Sequence, residues 1–305
     1  MNPVTVRVPA KVNLQLGVGP LRDDGYHDLV NVFHAVSLFD EVTAVPADAP
    51  KVTAEAAPDA RIAMESVPLD GDNLALRAAR LLAAKLGVEP NVELRIRKAI
   101  PVAGGMAGGS ADAAGALLAC ARLWKADLAL PSLPELAAKI GSDVPFALLG
   151  GTAVGLGRGE RLTPLETSGS FHWVFATADG GLSTPAVYAE CDRLREAQGQ
   201  QVSWPRASEE LVKALASGDA RALGAALSND LQPAALMLRP SLRRTLDAGR
   251  ELGALGSLVS GSGPTTAFLA ESADHAADLA AALAGTGVAK QVVRASGPVP
   301  GATVV

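Results

Sequence analysis

The sequence predicts an α+β fold in two domains, 1–155 and 156–305, and three observations carry that reading. Segments that alternate with period two are interleaved with segments of helical period. Some extended segments lie close together as hairpin-like pairs, which a purely parallel sheet does not contain. Glycine is dense over 151–163 (GTAVGLGRGERLT), which suits a tight hairpin or a crossing between halves and sets the boundary near 155.

Taken in order, residues 4–8 (VTVRV) alternate and are β-branched, as a strand should be. Residues 36–45 (VSLFDEVTAV) and 92–97 (VELRIR) read as two more strands. Asp72-Asn73 opens a helix to Leu86, with Leu74, Ala78, Leu81 and Leu82 on one stripe and Gly87 as its stop. A second helix runs from Ser110 to Trp124, and SLPE at 132–135 has the capping-box spacing for a third over 133–140. Beyond the boundary, 171–177 (FHWVFAT) is a strand and 185–253 is mostly helical. Residues 257–269 (SLVSGSGPTTAFL) read as strand, glycine turn, strand. A helix over 272–284 and a strand over 288–296 follow, and the last residues read as loose.

The chain has 305 residues, 49% hydrophobic and 19% charged, enough for a buried core; with aromatics at 4%, that core must be aliphatic. The net charge of −5 and the absence of a Lys/Arg block argue against nucleic acid as a partner. Cys120 and Cys191 are isolated and form neither a redox nor a metal pair. MNPVTVRVPAKVNL lacks a basic-then-apolar signal, and no apolar run approaches the length of a membrane span. The expectation is a cytoplasmic protein with no membrane partner, acting as a monomer or weak homodimer.

The stretch PVAGGMAGGSADAAGALLAC, 101–120, places four glycines directly before a good helix. Each costs about 1 kcal/mol relative to alanine in a helix, so something should compensate. Glycine allows close approach to the main chain, and a helix N-terminus presents free N–H donors and a positive dipole end. Together these make an anion site suited to phosphate. Ser110 at the junction can cap the helix, touch a phosphate or ligate Mg²⁺. A sharp strand-to-helix turn is the plainer alternative, though a turn rarely needs four glycines. No lysine follows in the manner of GxxxxGK[ST], and neither GxGxxG nor its acidic ribose-binding residue is present.

Four segments appear in a telling order: PAKVNLQLGVGPLRDDGYHDL at 9–29, the glycine stretch, GSDVPFALLGGTAVGLGRGE at 141–160, and VSGSGPTTAFL at 259–269. This series resembles the GHMP kinases over nearly the whole chain. One departure is the loss of a second serine at Ala111, with the hydrogen bonds it would make.

The resemblance implies a two-domain kinase with its active site in the cleft, ATP and Mg²⁺ as cofactors, and a small-molecule acceptor, cytidine diphosphate methylerythritol. On this reading Asp143 is the base for the acceptor hydroxyl and Lys11 its charge partner. Asn13, Tyr26, His27, Phe33, Thr184 and Tyr188 hold the acceptor, with the base stacked between the tyrosines and hydrogen-bonded by His27. Gly261 and Ser262 approach its diphosphate. Adenine lies near Asn73 and Lys98. The triphosphate crosses Pro101, Val102, Ala103, Gly104, Gly105, Met106, Ala107, Gly108, Gly109, Ser110 and Ala111, with Ser110 a candidate Mg²⁺ ligand. Three rivals stay open: a GHMP kinase for homoserine or a mevalonate-type alcohol, a non-catalytic ligand-binding regulator, and a nucleotide-binding oxidoreductase. Tyr26-His27, the Lys11 and Asp143 pair, and the missing dinucleotide fingerprint weigh against them in turn.

Overall fold

Two long antiparallel strands, β1 (Val4–Leu21) and β2 (His27–Pro46), form the spine of a computed structural model that describes residues 2–58, 60–102, 104–126 and 131–305. Both strands extend well past their expected limits. Residues 8–18 of β1 are buried on both faces, so packing holds them extended although Pro9 and polar residues interrupt the alternation. Register shifts after Pro9 and Asn13 re-aim side chains along the strand.

On one flank β2 pairs with β4 (Val92–Lys98), which pairs in parallel with β3 (Lys51–Ala56); further along, β2 pairs with β5 (Thr152–Gly157) of the β5–β6 hairpin, β6 being Arg161–Pro164. The expected boundary at 155/156 falls inside β5 and is corrected: a cut there would sever a strand paired to β2. The C-terminal residues are not loose either, since β12 (Thr303–Val304) pairs with β1 and the Val305 N–H donates to Thr5 O. A second sheet has the order β11 (Gln291–Gly297), β7 (Phe171–Thr177), β10 (Thr266–Ala270), β9 (Gly256–Val259).

Helices α1 (Leu74–Leu86) and α2 (Gly108–Leu123) cover the first sheet. Asn73 caps α1, accepting from the Ala75 and Leu76 N–H groups, and Gly87 closes it in the left-handed region. Alanine fills α2 because the helix lies close on the sheet. A Cβ on its Gly115 would stand 2.8 Å from Val42 and 2.9 Å from Val8. Leu82, Leu94 and Ile96 fill the space beside it, each contributing about 1.5–3 kcal/mol through burial.

The two sheets meet at His34. Its Nδ1 is 2.8 Å from Thr152 Oγ1, its ring packs against Phe171 and Trp173, and burial pulls its pKa down to about 4. Among the described residues, no helix is long and apolar enough to cross a membrane.

Candidate active site

Lys11 and Asn13 are two apart on β1, so their side chains leave the same face, away from the core side chains of Val12 and Leu14. Lys11 Nζ donates to Asn13 Oδ1 at 2.6 Å and to the Gly105 carbonyl at 2.8 Å. Asn13 Nδ2 donates to Asn31 Oδ1 at 2.8 Å. The Asp143 carboxylate stands 3.9 Å from the ammonium, beyond hydrogen-bond distance. Burial pulls the Lys11 pKa below its ordinary value, and the Asp143 charge opposes that without cancelling it.

Asp143 occupies the cap position of the short α4 (Val144–Leu149), yet its side chain makes no capping hydrogen bond. Pro145 lies within the first two positions of that helix. The carboxylate is 29% exposed and lines a cleft of about 500 Å³ together with Lys11, Asn13 and the start of α2.

That start is built from the glycine stretch. Gly105 has φ of +73°, and a Cβ there would stand 2.1 Å from Ser260 O, so only glycine lets this loop dock on the β9–β10 connection. Its carbonyl accepts from Lys11 Nζ and from Ser260 Oγ at 3.0 Å. Ala107 is left-handed at φ +62°, which turns the chain into α2. The amides of Gly108, Gly109 and Ser110 belong to the first turn and have no intrahelical acceptor; they line the cleft.

Two residues of the stretch turn their side chains into the core. The Ala111 N–H is consumed by Ala107 O at 2.8 Å, and its side chain is fully buried. The Met106 side chain is also fully buried in the core, while its carbonyl accepts the Lys11 backbone N–H. Neither side chain faces the cleft. Pro101 and Val102 line a small recess behind the loop, and Ala103 lies outside the described residues.

Beside the cleft, a recess of about 170 Å³ is lined by Asn73, Lys98, Val102, Gly109 and Asp112 among others. Asn73 and Lys98 are therefore near it, but their polar atoms are committed elsewhere. Asn73 caps α1 and donates to Pro68 O at 2.7 Å. Lys98 Nζ sits between Asp40 at 2.5 Å and Asp112 at 2.6 Å, with Gly108 O at 3.5 Å. Burial disfavours this ammonium, but the two carboxylates outweigh it and the net shift is upward. Burial likewise pushes the Asp112 carboxyl up to about 8, with Asp40 adding to it against Lys98. Asn73 and Lys98 thus shape the wall of the recess, with their polar atoms engaged within the protein.

A second cavity of about 540 Å³ adjoins the cleft, lined by Tyr26, His27, Tyr188 and Asp192. Thr184, Tyr188 and Asp192 recur every four residues on α5 (Thr184–Ala197) and so share one face. His27 Nε2 is 2.9 Å from Asp192 Oδ1, and the His27 and Tyr188 rings lie 5.4 Å apart at 30°. Burial, then the Asp143 charge, raises the Tyr188 pKa, so the phenol keeps its proton. Tyr26 is half exposed at the mouth. Thr184 Oγ1 is 2.9 Å from Ser262 Oγ, which joins α5 to the β9–β10 connection. Gly261 lies over Lys11, and Asn229 holds its carbonyl at 2.8 Å. Phe33 is corrected: its side chain is fully buried, stacked on Phe146 at 4.9 Å, and reaches neither cavity.

Asn31, Asp192, Asn229 and Ser260 were not singled out from sequence. Only Asp192 carried a usable signal, its position four residues after Tyr188. Among the described residues, no cluster of three His, Cys, Asp or Glu side chains could hold a metal ion.

The cleft formed by an anion-binding helix start facing a lysine–aspartate couple is that of a small-molecule kinase. Residues 73–151 match the GHMP kinases N terminal domain and residues 211–289 the GHMP kinases C terminal, and the chain belongs to the GHMP kinases. More particularly, it is 63% identical to the 4-diphosphocytidyl-2-C-methyl-D-erythritol kinase of Streptomyces avermitilis, over 99% of both chains. It is 62% identical to the enzyme of the same name from Thermobifida fusca, over 99% of this chain and 98% of that one. A crystal structure of a 4-(cytidine 5'-diphospho)-2C-methyl-D-erythritol kinase aligns with a TM-score of 0.76 at 34% identity, covering 95% of this chain and 98% of that one.

Proposed function

We propose that this chain transfers the γ-phosphoryl group of ATP to the 2-hydroxyl of 4-diphosphocytidyl-2-C-methyl-D-erythritol, an isoprenoid precursor, with Asp143 as the base. The observation that carries the assignment of roles is the 3.9 Å separation of Lys11 Nζ and Asp143 Oδ2 in the cleft. The gap leaves room beside both groups for an acceptor oxygen, where a direct ion pair would close it.

The acceptor hydroxyl donates to Asp143 and gives up its proton as the P–O bond forms, a contribution of about 10²–10⁴-fold. Lys11, held by Asn13 and Gly105, stabilises charge on the attacking oxygen. The amides of Gly108, Gly109 and Ser110 grip the β- and γ-phosphates at the positive end of α2. The recess beside Val102 and Gly109 takes adenine by shape, and the second cavity takes cytosine. There, His27 offers Nδ1 to the base because Asp192 occupies Nε2. Such positioning is most of what phosphoryl transfer asks of a protein.

Ser110 supplies one hydroxyl at the cleft, which suits Mg²⁺ held mainly by nucleotide oxygens and water. When bound, the ion neutralises phosphate charge. A coupled ADP-release assay tests the substrate assignment by comparing 4-diphosphocytidyl-2-C-methyl-D-erythritol, mevalonate and homoserine. Turnover with the first alone is expected; preference for either of the others contradicts it.

A further inference from the structure

The cleft and the base cavity share five lining residues: Leu29, Ser142, Arg158, Thr184 and Tyr188. Arg158 is the one charged side chain among these five. It is exposed in the tight turn between β5 and β6, where its backbone N–H donates to Glu160 Oε2 at 2.8 Å and fixes the turn. Its guanidinium carbon lies 5.5 Å from the centre of the Tyr26 ring. Among the described residues, the guanidinium has no carboxylate partner.

An acceptor with its base in one cavity and its alcohol at Asp143 must pass its linker across the shared rim. In the proposed acceptor that linker is a diphosphate. The other cations are placed less well. Lys11 lines only the cleft and is bonded to Asn13 and Gly105, and Lys139 lines only the base cavity. Asp143 and Asp192, the carboxylates facing the two cavities, repel a phosphate and leave the rim as its place.

We propose that Arg158 binds the acceptor's diphosphate, its planar fork on the phosphate oxygens and its flat face on Tyr26. The inference rests on the cytidine diphosphate reading given above. Guanidinium matches phosphate geometry bidentately and stacks on aromatic rings, and an ammonium does only part of this.

Titration calorimetry with CDP and with cytidine, using wild type, R158A and R158K, tests the inference. The wild type is expected to bind CDP more tightly than cytidine. R158A should weaken CDP about 10- to 100-fold and leave cytidine within about threefold. R158K should recover part of the loss, and the salt dependence of CDP binding should shrink in R158A. In turnover, R158A should raise KM for the acceptor and leave kcat and the KM for ATP near wild type. Unchanged CDP affinity in R158A overturns the inference. So does an equal loss of CDP and cytidine, which would make Arg158 only a prop for Tyr26. If the folded wild type binds neither CDP nor cytidine, the base-cavity reading fails first and this inference falls with it.

Discussion

Two buried lysines flank the glycine-rich loop, and they are held in opposite ways. Lys98 lies between two carboxylates at 2.5 and 2.6 Å, and its pKa is raised. Lys11 is bonded to a neutral amide and a carbonyl, with its nearest carboxylate at 3.9 Å, and its pKa is lowered. A buried charge is tolerable when paired and hydrogen-bonded, and Lys98 meets that requirement within the protein. Lys11 does not, and the shortfall faces the cleft. The difference separates a cation that builds the fold from one left for a ligand to complete.

The largest expected effect breaks the functional side of this comparison. D143N and K11M should each lower kcat by about 10²–10⁴-fold in a coupled assay. Asp143 caps nothing, so the D143N thermal midpoint should stay near wild type. Breaking the structural side should instead unfold the protein. K98M leaves Asp40 and Asp112 buried without their cation, and denaturant titration should show a loss of about 3–5 kcal/mol. Adding D40N and D112N to K98M should recover part of it.

Y188A should raise KM for the cytidine acceptor about tenfold through lost stacking and leave KM for ATP nearly unchanged. Equal changes in both would place Tyr188 outside the base cavity.

The smallest effect sharpens the contrast through pH. The Lys11 pKa is lowered in the folded state, so between that value and the ordinary 10.5 the unfolded chain holds more protons and stability rises with pH. The Lys98 pKa is raised, so its contribution is fully present below 10.5 and is lost as pH rises through the folded value. Denaturant midpoints of wild type, K11M and K98M from pH 9 to 11 should show the two differences shrinking from opposite signs.

Much of this was legible in the sequence, because helix caps and glycine turns act locally. Asn73, Gly87 and the start of α2 within two residues of Ser110 follow from such signals. Long-range packing was not legible. Residues 9–18 look irregular as a strand, yet burial on both faces keeps them extended, and residues 303–304 find β1 across the whole chain. At the site, residue type alone did not single out Lys11, Asp143, His27 or Tyr188; the resemblance of the motifs around them did, and the structure brings them to two adjoining cavities. Residue type could not reveal that Asp40 and Asp112 engage Lys98, or that Phe33 turns toward Phe146. Those depend on partners 14 to 113 positions away in the chain.

The most direct measurement is a crystal structure with a non-hydrolysable ATP analogue and 4-diphosphocytidyl-2-C-methyl-D-erythritol bound together. The acceptor's 2-hydroxyl should lie within hydrogen-bond distance of the Asp143 carboxylate, with the γ-phosphate on the amides of Gly108, Gly109 and Ser110. A polyphosphate bound away from those amides, or a 2-hydroxyl out of reach of Asp143, would contradict the account.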